Sequence, residues 1–327
     1  MRELSFCEAI REALYQTMEK DKSVFLMGED IGVYGGAWGV TEGLQRKFGS
    51  ERVRDTPVAE NAIVGTGIGA ALGGMKPIVE MMSSDFAFAA FNEIINDAAK
   101  WRQQHNALVH VPLVIRAPVG TAQGQGPEHS QSPEAYYMHT PGLKVIMPST
   151  PHDAKGLMNS AISDGNPVLF FEHRKLYPMK GPVPEEPYKV PIGKAEVRQE
   201  GKDATIISWS WMLYRCLDAS KQLRAKGIEV EVVDLRTILP MDKEQIAKSV
   251  HKTGKIVVVE EASKTGGVGA EIAATVNEIS FDHLKAPVAR IALPDTPIPF
   301  NVALENWVLP STETIISTVM KTVAYAK

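Results

Sequence analysis

"AENAIVGTGIGAALGGMKPIVEMM", residues 59–82, is the stretch on which the fold turns. Its glycines superficially match the spacing of a dinucleotide-binding fingerprint. That fingerprint needs a strand directly before the first glycine and an acid about 20 residues further on. Here the glycines sit inside an apolar run that reads as a helix, and "KPIVEMM" after it reads as a strand. Close packing against a neighbouring helix accounts for the glycines better than a nucleotide does.

The same alternation extends in both directions. Ser5 and Glu8 can close a capping box, after which Phe6, Ile10, Leu14 and Met18 recur at helical spacing. "SVFLMGED" (23–30) reads as a buried strand opening into a polar loop. After Met82, "DFAFAAFNEIINDAAKW" (85–101) is helix and "VPLVIRAP" (111–118) strand. "LKVIMPS" (143–149), "HDAKGLMNSAIS" (152–163) and "PVLFFEH" (167–173) then read as strand, helix and strand. Strands apolar throughout and separated by helices imply a parallel sheet covered on both faces.

At "KLYPMKGPVPEEPYKVP" (175–191) the pattern stops, and proline and charge imply an extended linker. A second alternating unit follows, with strands at "ATIISW", "EVEVVDL" and "KIVVVEE" and a last helix at "TETIISTVMKTVAYA" (312–326). The fold class is therefore α/β in two domains: residues 1–180, a linker at 181–200, and residues 201–327.

The chain has 327 residues and a formal charge of −4, with no block of basic residues, so neither nucleic acid nor an acidic membrane is expected as partner. The opening residues show no signal-peptide run and no stretch has the length and apolarity of a membrane span, so a cytoplasmic location is the expectation. Cys7 and Cys216 are too few for a disulfide framework and lack metal-ligand spacing.

Several residues are candidates for chemistry, each beside a plainer reading. Glu60 precedes the glycine helix: in apolar surroundings it would hold a proton near neutrality, and otherwise it is an acid at a helix N-terminus. His129 ends a glycine-dense loop, "GTAQGQGPEHSQSPEAYY" (120–137), where a surface histidine and a proton-exchanging one are both open. "TGGVGAE" (265–271) either presents amides to an anion or is a tight turn into a helix. "SAISDGNPV" (160–168) is a glycine-capped helix end whose carbonyls, with Asp164 and Asn166, can hold a monovalent cation. "WSWMLYR" (209–215) reads as core or interface packing.

The ordered set "GEDIGVYGG", "DTPVAENAIVGTGIGAALGG", "PIVEMMSSDFAFAAFNEIINDAAK", "EHSQSPEAYY", "PGLKVIMPSTPHDAKGLM" and "VVDLRTILPMD" resembles the β subunit of the thiamine-diphosphate-dependent decarboxylating component of a 2-oxo acid dehydrogenase complex. It covers nearly the whole chain. The resemblance implies a thiamine-diphosphate-binding-fold pyrimidine domain followed by a transketolase C-terminal-type domain. It implies that Glu60 bonds to the aminopyrimidine nitrogen of the cofactor, that Met82 and Phe86 line that ring, and that His129 serves the reductive acylation of lipoyl groups. Leu113, Ala161, Ile162, Asp164 and Asn166 match a potassium site in such proteins.

Thiamine enzymes usually hold the diphosphate through magnesium, bound by a Gly-Asp-Gly segment with asparagines further on, and no Gly-Asp-Gly occurs here. The resemblance thus implies a separate α subunit that supplies the magnesium half, in a heterotetramer of two α and two β chains. Further implied partners are a 2-oxo acid substrate, of which pyruvate, branched-chain and acetoin-type compounds all stay open, and a dihydrolipoyl acyltransferase core. That core would dock on the C-terminal domain near Asp295 in "LPDTPIPF". A transketolase-like half enzyme and a non-catalytic docking subunit are the rival readings.

Overall fold

The computed structural model describes residues 2–325. The chain divides into two compact units, one of residues 1–119 and 136–192, the other of residues 120–135 and 193–327.

Six parallel strands form the sheet of the first unit, in the order Lys144–Ile146, Val168–His173, Val114–Val119, Lys76–Glu80, Val24–Gly28 and Val53–Asp55. The central strands are buried almost throughout, as expected where helices cover both faces. Helix Phe6–Lys20 begins at the capping box read from the sequence. The Glu8 amide donates to Ser5 Oγ at 3.2 Å and the Ser5 amide to Glu8 Oε2 at 2.7 Å, a device worth about 1 kcal/mol.

Helix Glu60–Leu72 carries the glycines. A Cβ at Gly67 would stand 2.9 Å from a Val79 methyl and 3.0 Å from a Leu113 methyl. The close approach is therefore to the sheet, rather than to a neighbouring helix as the sequence suggested. The region expected as one helix from Asp85 winds tightly over Phe86–Ala90 and widely, as a π-helix, over Glu93–Ala98. Through that change of pitch Ala87, Ala90, Ile94 and Ala98 all face the core.

The proline-rich stretch is not free. Lys180–Val183 pairs antiparallel with Arg2–Ser5, and the residues after it lie along helix Pro151–Ile162. The fully buried Lys155 ammonium donates to the carbonyls of Pro184 and Glu185 at 2.7 and 2.8 Å and to Glu12 at 2.8 Å. Asn159 donates to the Tyr188 carbonyl at 2.9 Å and Ser160 to the Val190 carbonyl at 2.6 Å. Gly156 leaves room for this strap, since a Cβ there would press on Tyr188 and Val190.

In the second unit the strand order is Ala289–Leu293, Ile256–Ser263, Ala204–Ser208, Val230–Asp234, all parallel, and then antiparallel Glu196–Gln199. Helices Met212–Arg224 and Thr312–Val323 pack on this sheet through Leu213, Cys216, Ile315 and Val319. The last helix expected from sequence ended at Ala326, which lies outside the described residues. Among the described residues no helix is long and apolar enough to cross a membrane.

Candidate active site

Loops at the carboxyl ends of parallel strands are where open α/β sheets bind ligands, and the first unit places Glu60, Met82 and Phe86 there, after the strands Val53–Asp55 and Lys76–Glu80. Glu60 is the first residue of its helix; Ala59 before it supplies no side-chain cap. The residue is half-buried, and among the described residues its carboxylate has no hydrogen-bond or ion-pair partner. Glu29, just past the strand Val24–Gly28, is held above the ordinary carboxyl range by burial, then by the charges of Asp30 and Glu60. Two carboxylates therefore share this end of the sheet.

The glycine helix packs against the Phe86–Ala90 turn. Met82 and Phe86, both half-buried, flank a locked turn. Ser83 Oγ donates to Asp85 Oδ2 at 2.5 Å, and Arg174 donates to Ser83 Oγ at 2.5 Å. Beneath them lies a buried ionic cluster. Arg116 grips Glu172 with two parallel bonds of 2.7 and 2.8 Å and reaches Glu80 Oε2 at 2.5 Å. Tyr177 adds a bond to Glu172 at 2.8 Å. This cluster ties together three strand ends, and a bidentate guanidinium fixes their geometry as no single charge could.

In the turn read from the sequence as a candidate cation site, the side chains make contacts of their own. Asp164 pairs with Lys144, and Asn166 Oδ1 accepts from Arg102 at 2.7 Å. Their side-chain oxygens are thus engaged, and the Ala161 carbonyl accepts from the Asp164 amide at 3.2 Å. The Leu113 carbonyl accepts from the Val168 amide at 2.9 Å.

In the second unit the His129 imidazole is exposed. The adjoining Ser130 hydroxyl is buried with no hydrogen-bond partner among the described residues. Gly120 donates to the Gln131 carbonyl at 3.0 Å, which closes the loop at its base. The loop amide of Thr121 donates to Glu261 Oε1 at 2.7 Å and that of Gly124 to Glu305 Oε2 at 2.7 Å.

"TGGVGAE" resolves against an external anion: the amide of Gly269, near the start of helix Val268–Ser280, donates to both oxygens of Glu260 at 3.1 Å. Burial pushes Glu260 up to about 7. Glu134 is pushed up to about 8 by burial, with Glu260 and Glu261 adding repulsion, and its Oε1 accepts from Trp209 Nε1 at 3.4 Å. This packing role for Trp209 agrees with the core reading of "WSWMLYR". Asp295 lies exposed and accepts from Thr265 Oγ1 at 2.6 Å.

Glu60, Met82 and Phe86 thus belong to the first unit and His129 to the second. Sequence reasoning missed Glu29, Ser130 and the buried acids Glu134, Glu260, Glu261 and Glu305. Glu29 was legible as the acid ending "SVFLMGE"; the others converge only in three dimensions.

Two domain models match the chain: "Transketolase, pyrimidine binding domain" over residues 2–180 and "Transketolase, C-terminal domain" over residues 193–315. The 2-oxoisovalerate dehydrogenase subunit beta of Bacillus subtilis (strain 168) is 47% identical over 309 residues, 94% of either chain. The pyruvate dehydrogenase E1 component subunit beta of Porphyra purpurea is 45% identical over 327 residues, 100% of this chain and 99% of that one.

This chain is a β subunit of the 2-oxo acid dehydrogenase family.

The β subunit also shares its fold with a split gene transketolase in an inactive beta4 tetramer, with a TM-score of 0.78, 23% identity and 99% of both chains covered. The resemblance read from the ordered motifs is therefore confirmed, as is the pairing of a pyrimidine-binding domain with a transketolase C-terminal domain. The substrates named for the two relatives differ while their identities to this β subunit are nearly equal, so overall likeness does not choose between them.

Proposed function

We propose that this β subunit, joined to a separate α subunit in an assembly of two α and two β chains, decarboxylates a 2-oxo acid with thiamine diphosphate. The reaction is of the pyruvate dehydrogenase type, and the acyl group passes to lipoyl groups on a dihydrolipoyl acyltransferase core. The observation that carries the reading is the Glu60 carboxylate, unpartnered among the described residues, at the head of the glycine helix that packs against the Phe86 turn.

These residues fit the pyrimidine half of the cofactor. A flat aromatic ring suits the thioether of Met82 and the ring of Phe86, and an unpaired carboxylate suits a ring nitrogen that must exchange a proton. Bound thiamine diphosphate supplies an electron sink for the pair released as carbon dioxide leaves. Glu60 would hold the proton at the pyrimidine nitrogen. Burial and the charges of Asp30 and Glu60 raise the proton affinity of Glu29 above its ordinary value. His129 would deliver a proton to a lipoyl sulfur as the dithiolane opens, a transfer an imidazole can serve as general acid.

The diphosphate and its magnesium fall to the α subunit, because this sequence has no Gly-Asp-Gly segment. Among the described residues no three His, Cys, Asp or Glu side chains gather as metal ligands. Potassium, if held at the Asp164 turn, would sit on carbonyls. The acyltransferase core would dock near Asp295. We assign the assembly to the cytoplasm, where the free thiols of Cys7 and Cys216 stay reduced.

The test is a steady-state panel with the co-purified α and β subunits: pyruvate, branched-chain 2-oxo acids and acetoin. Pyruvate is expected to give the highest kcat/KM. Absence of thiamine-dependent decarboxylation with every 2-oxo acid would overturn the reading.

A further inference from the structure

The loop that carries His129 is dense in glycine, and an unrestrained chain of that composition would spread over many conformations. In this structure it is gripped from the C-terminal region of the same unit. Glu305 lies on the short helix Val302–Val308, whose start Asn301 caps by accepting from the amides of Ala303 and Leu304 at 2.9 and 3.2 Å. The Glu305 side chain is only 1% exposed, and it accepts from the Gly124 amide at 2.7 Å. A carboxylate buried to this degree is costly unless it is bonded, so the grip and the burial depend on one another.

Phe300 completes it. A Cβ at Gly124 would meet the Phe300 carbonyl oxygen at 2.6 Å, and one at Gly126 would overlap the Phe300 ring. Both glycines have positive φ, +82° and +78°, which L side chains rarely adopt. The loop's backbone is thus seated on Phe300 in a conformation that only glycine allows, with Glu305 bonded at its middle and Glu261 bonded to Thr121 near its start.

We propose that Glu305 and Phe300 are positioning residues for His129: they hold the loop at Gly124 and Gly126 so that the imidazole, five residues on from Gly124, is presented in one place. The inference rests on the reading of His129 as the group that serves acyl transfer to lipoyl. It assigns to the Phe300–Glu305 segment a part in that half-reaction and none in decarboxylation.

Two measurements on the α and β assembly test it. Amide exchange across residues 120–131 reads the grip without reference to catalysis. Glu305→Ala should speed exchange at Gly124 and its neighbours at least about tenfold, and Glu305→Gln, which keeps an acceptor oxygen, should restore most of the protection. Unchanged exchange in Glu305→Ala overturns the proposal whatever His129 does. Kinetics read the consequence. Lipoyl acylation should fall about tenfold or more in Glu305→Ala and recover in Glu305→Gln, while decarboxylation followed with an artificial electron acceptor changes less than about twofold. An equal fall in both rates, or faster exchange with lipoyl acylation intact while His129→Ala loses it, contradicts the positioning role. If His129→Ala itself keeps full lipoyl acylation, the reading of His129 fails, and the exchange result still stands on its own.

Discussion

Glu29 and Glu60 share the carboxyl end of the first sheet, and the charge of Glu60, after burial and Asp30, helps to raise the proton affinity of Glu29. Glu60 is the one left without a protein partner among the described residues, and it is the one the cofactor reading needs. Replacing Glu60 by Gln keeps the shape and removes the exchangeable acid. Turnover should fall by about 100-fold or more, while light scattering shows the α and β assembly intact. Activity within a few-fold of the native value would reject the role given to Glu60.

Glu134 makes stability depend on pH with a definite sign. Its folded value lies at about 8 against an ordinary 4.5, and Glu260 lies at about 7. Between 4.5 and these values the folded state binds protons that the unfolded chain has already lost. The stability they contribute is therefore full below about pH 4.5 and declines as pH rises towards 8. Glu134→Gln carries a neutral group at every pH. It should flatten the decline between pH 5 and 8 and raise stability at pH 8 by about 1–3 kcal/mol. A variant with the slope of the native protein would show that Glu134 is ionised in the fold.

Arg116 carries a larger prediction. Both of its carboxylate partners, Glu80 and Glu172, are buried. Arg116→Met would leave them without their cation, and loss of one partner in a buried pair costs about 3–5 kcal/mol. Denaturant unfolding of the variant should show a loss of that order. A loss below about 1 kcal/mol would mean that solvent reaches the cluster.

The cation turn predicts a dependence on ion size rather than on charge. Because Lys144 and Arg102 already engage the side chains of Asp164 and Asn166, a bound ion would rely on carbonyls. Exchanging potassium for lithium at constant ionic strength should lower the thermal midpoint by roughly 2–4 °C. Equal midpoints in the two salts would remove potassium from the account.

Much of this molecule is legible in its sequence because the signals are local. The Ser5–Glu8 box, the buried strands and the glycine helix each depend on residues a few positions apart, and Glu60 is conspicuous because a charge stands at the edge of an apolar run. What stayed hidden depends on convergence. Glu134 is an ordinary helix-start acid until Glu260 and Glu261 stand beside it. Lys155 looks like a surface lysine until the proline-rich strap folds over it, and nothing near Gly124 announces Glu305. The change from tight to wide turns across Phe86–Ala98 leaves the apolar spacing helical, so periodicity alone could not detect it.

The most direct test of the central claim is calorimetric titration of thiamine diphosphate with magnesium into this β subunit alone and into the same chain assembled with its α subunit. Binding in the assembly and none to the lone chain is the expected result, since in the proposed reading Glu60, Met82 and Phe86 would supply only the pyrimidine half of a divided site. Tight binding by the lone chain would contradict the division and, with it, the need for an α subunit.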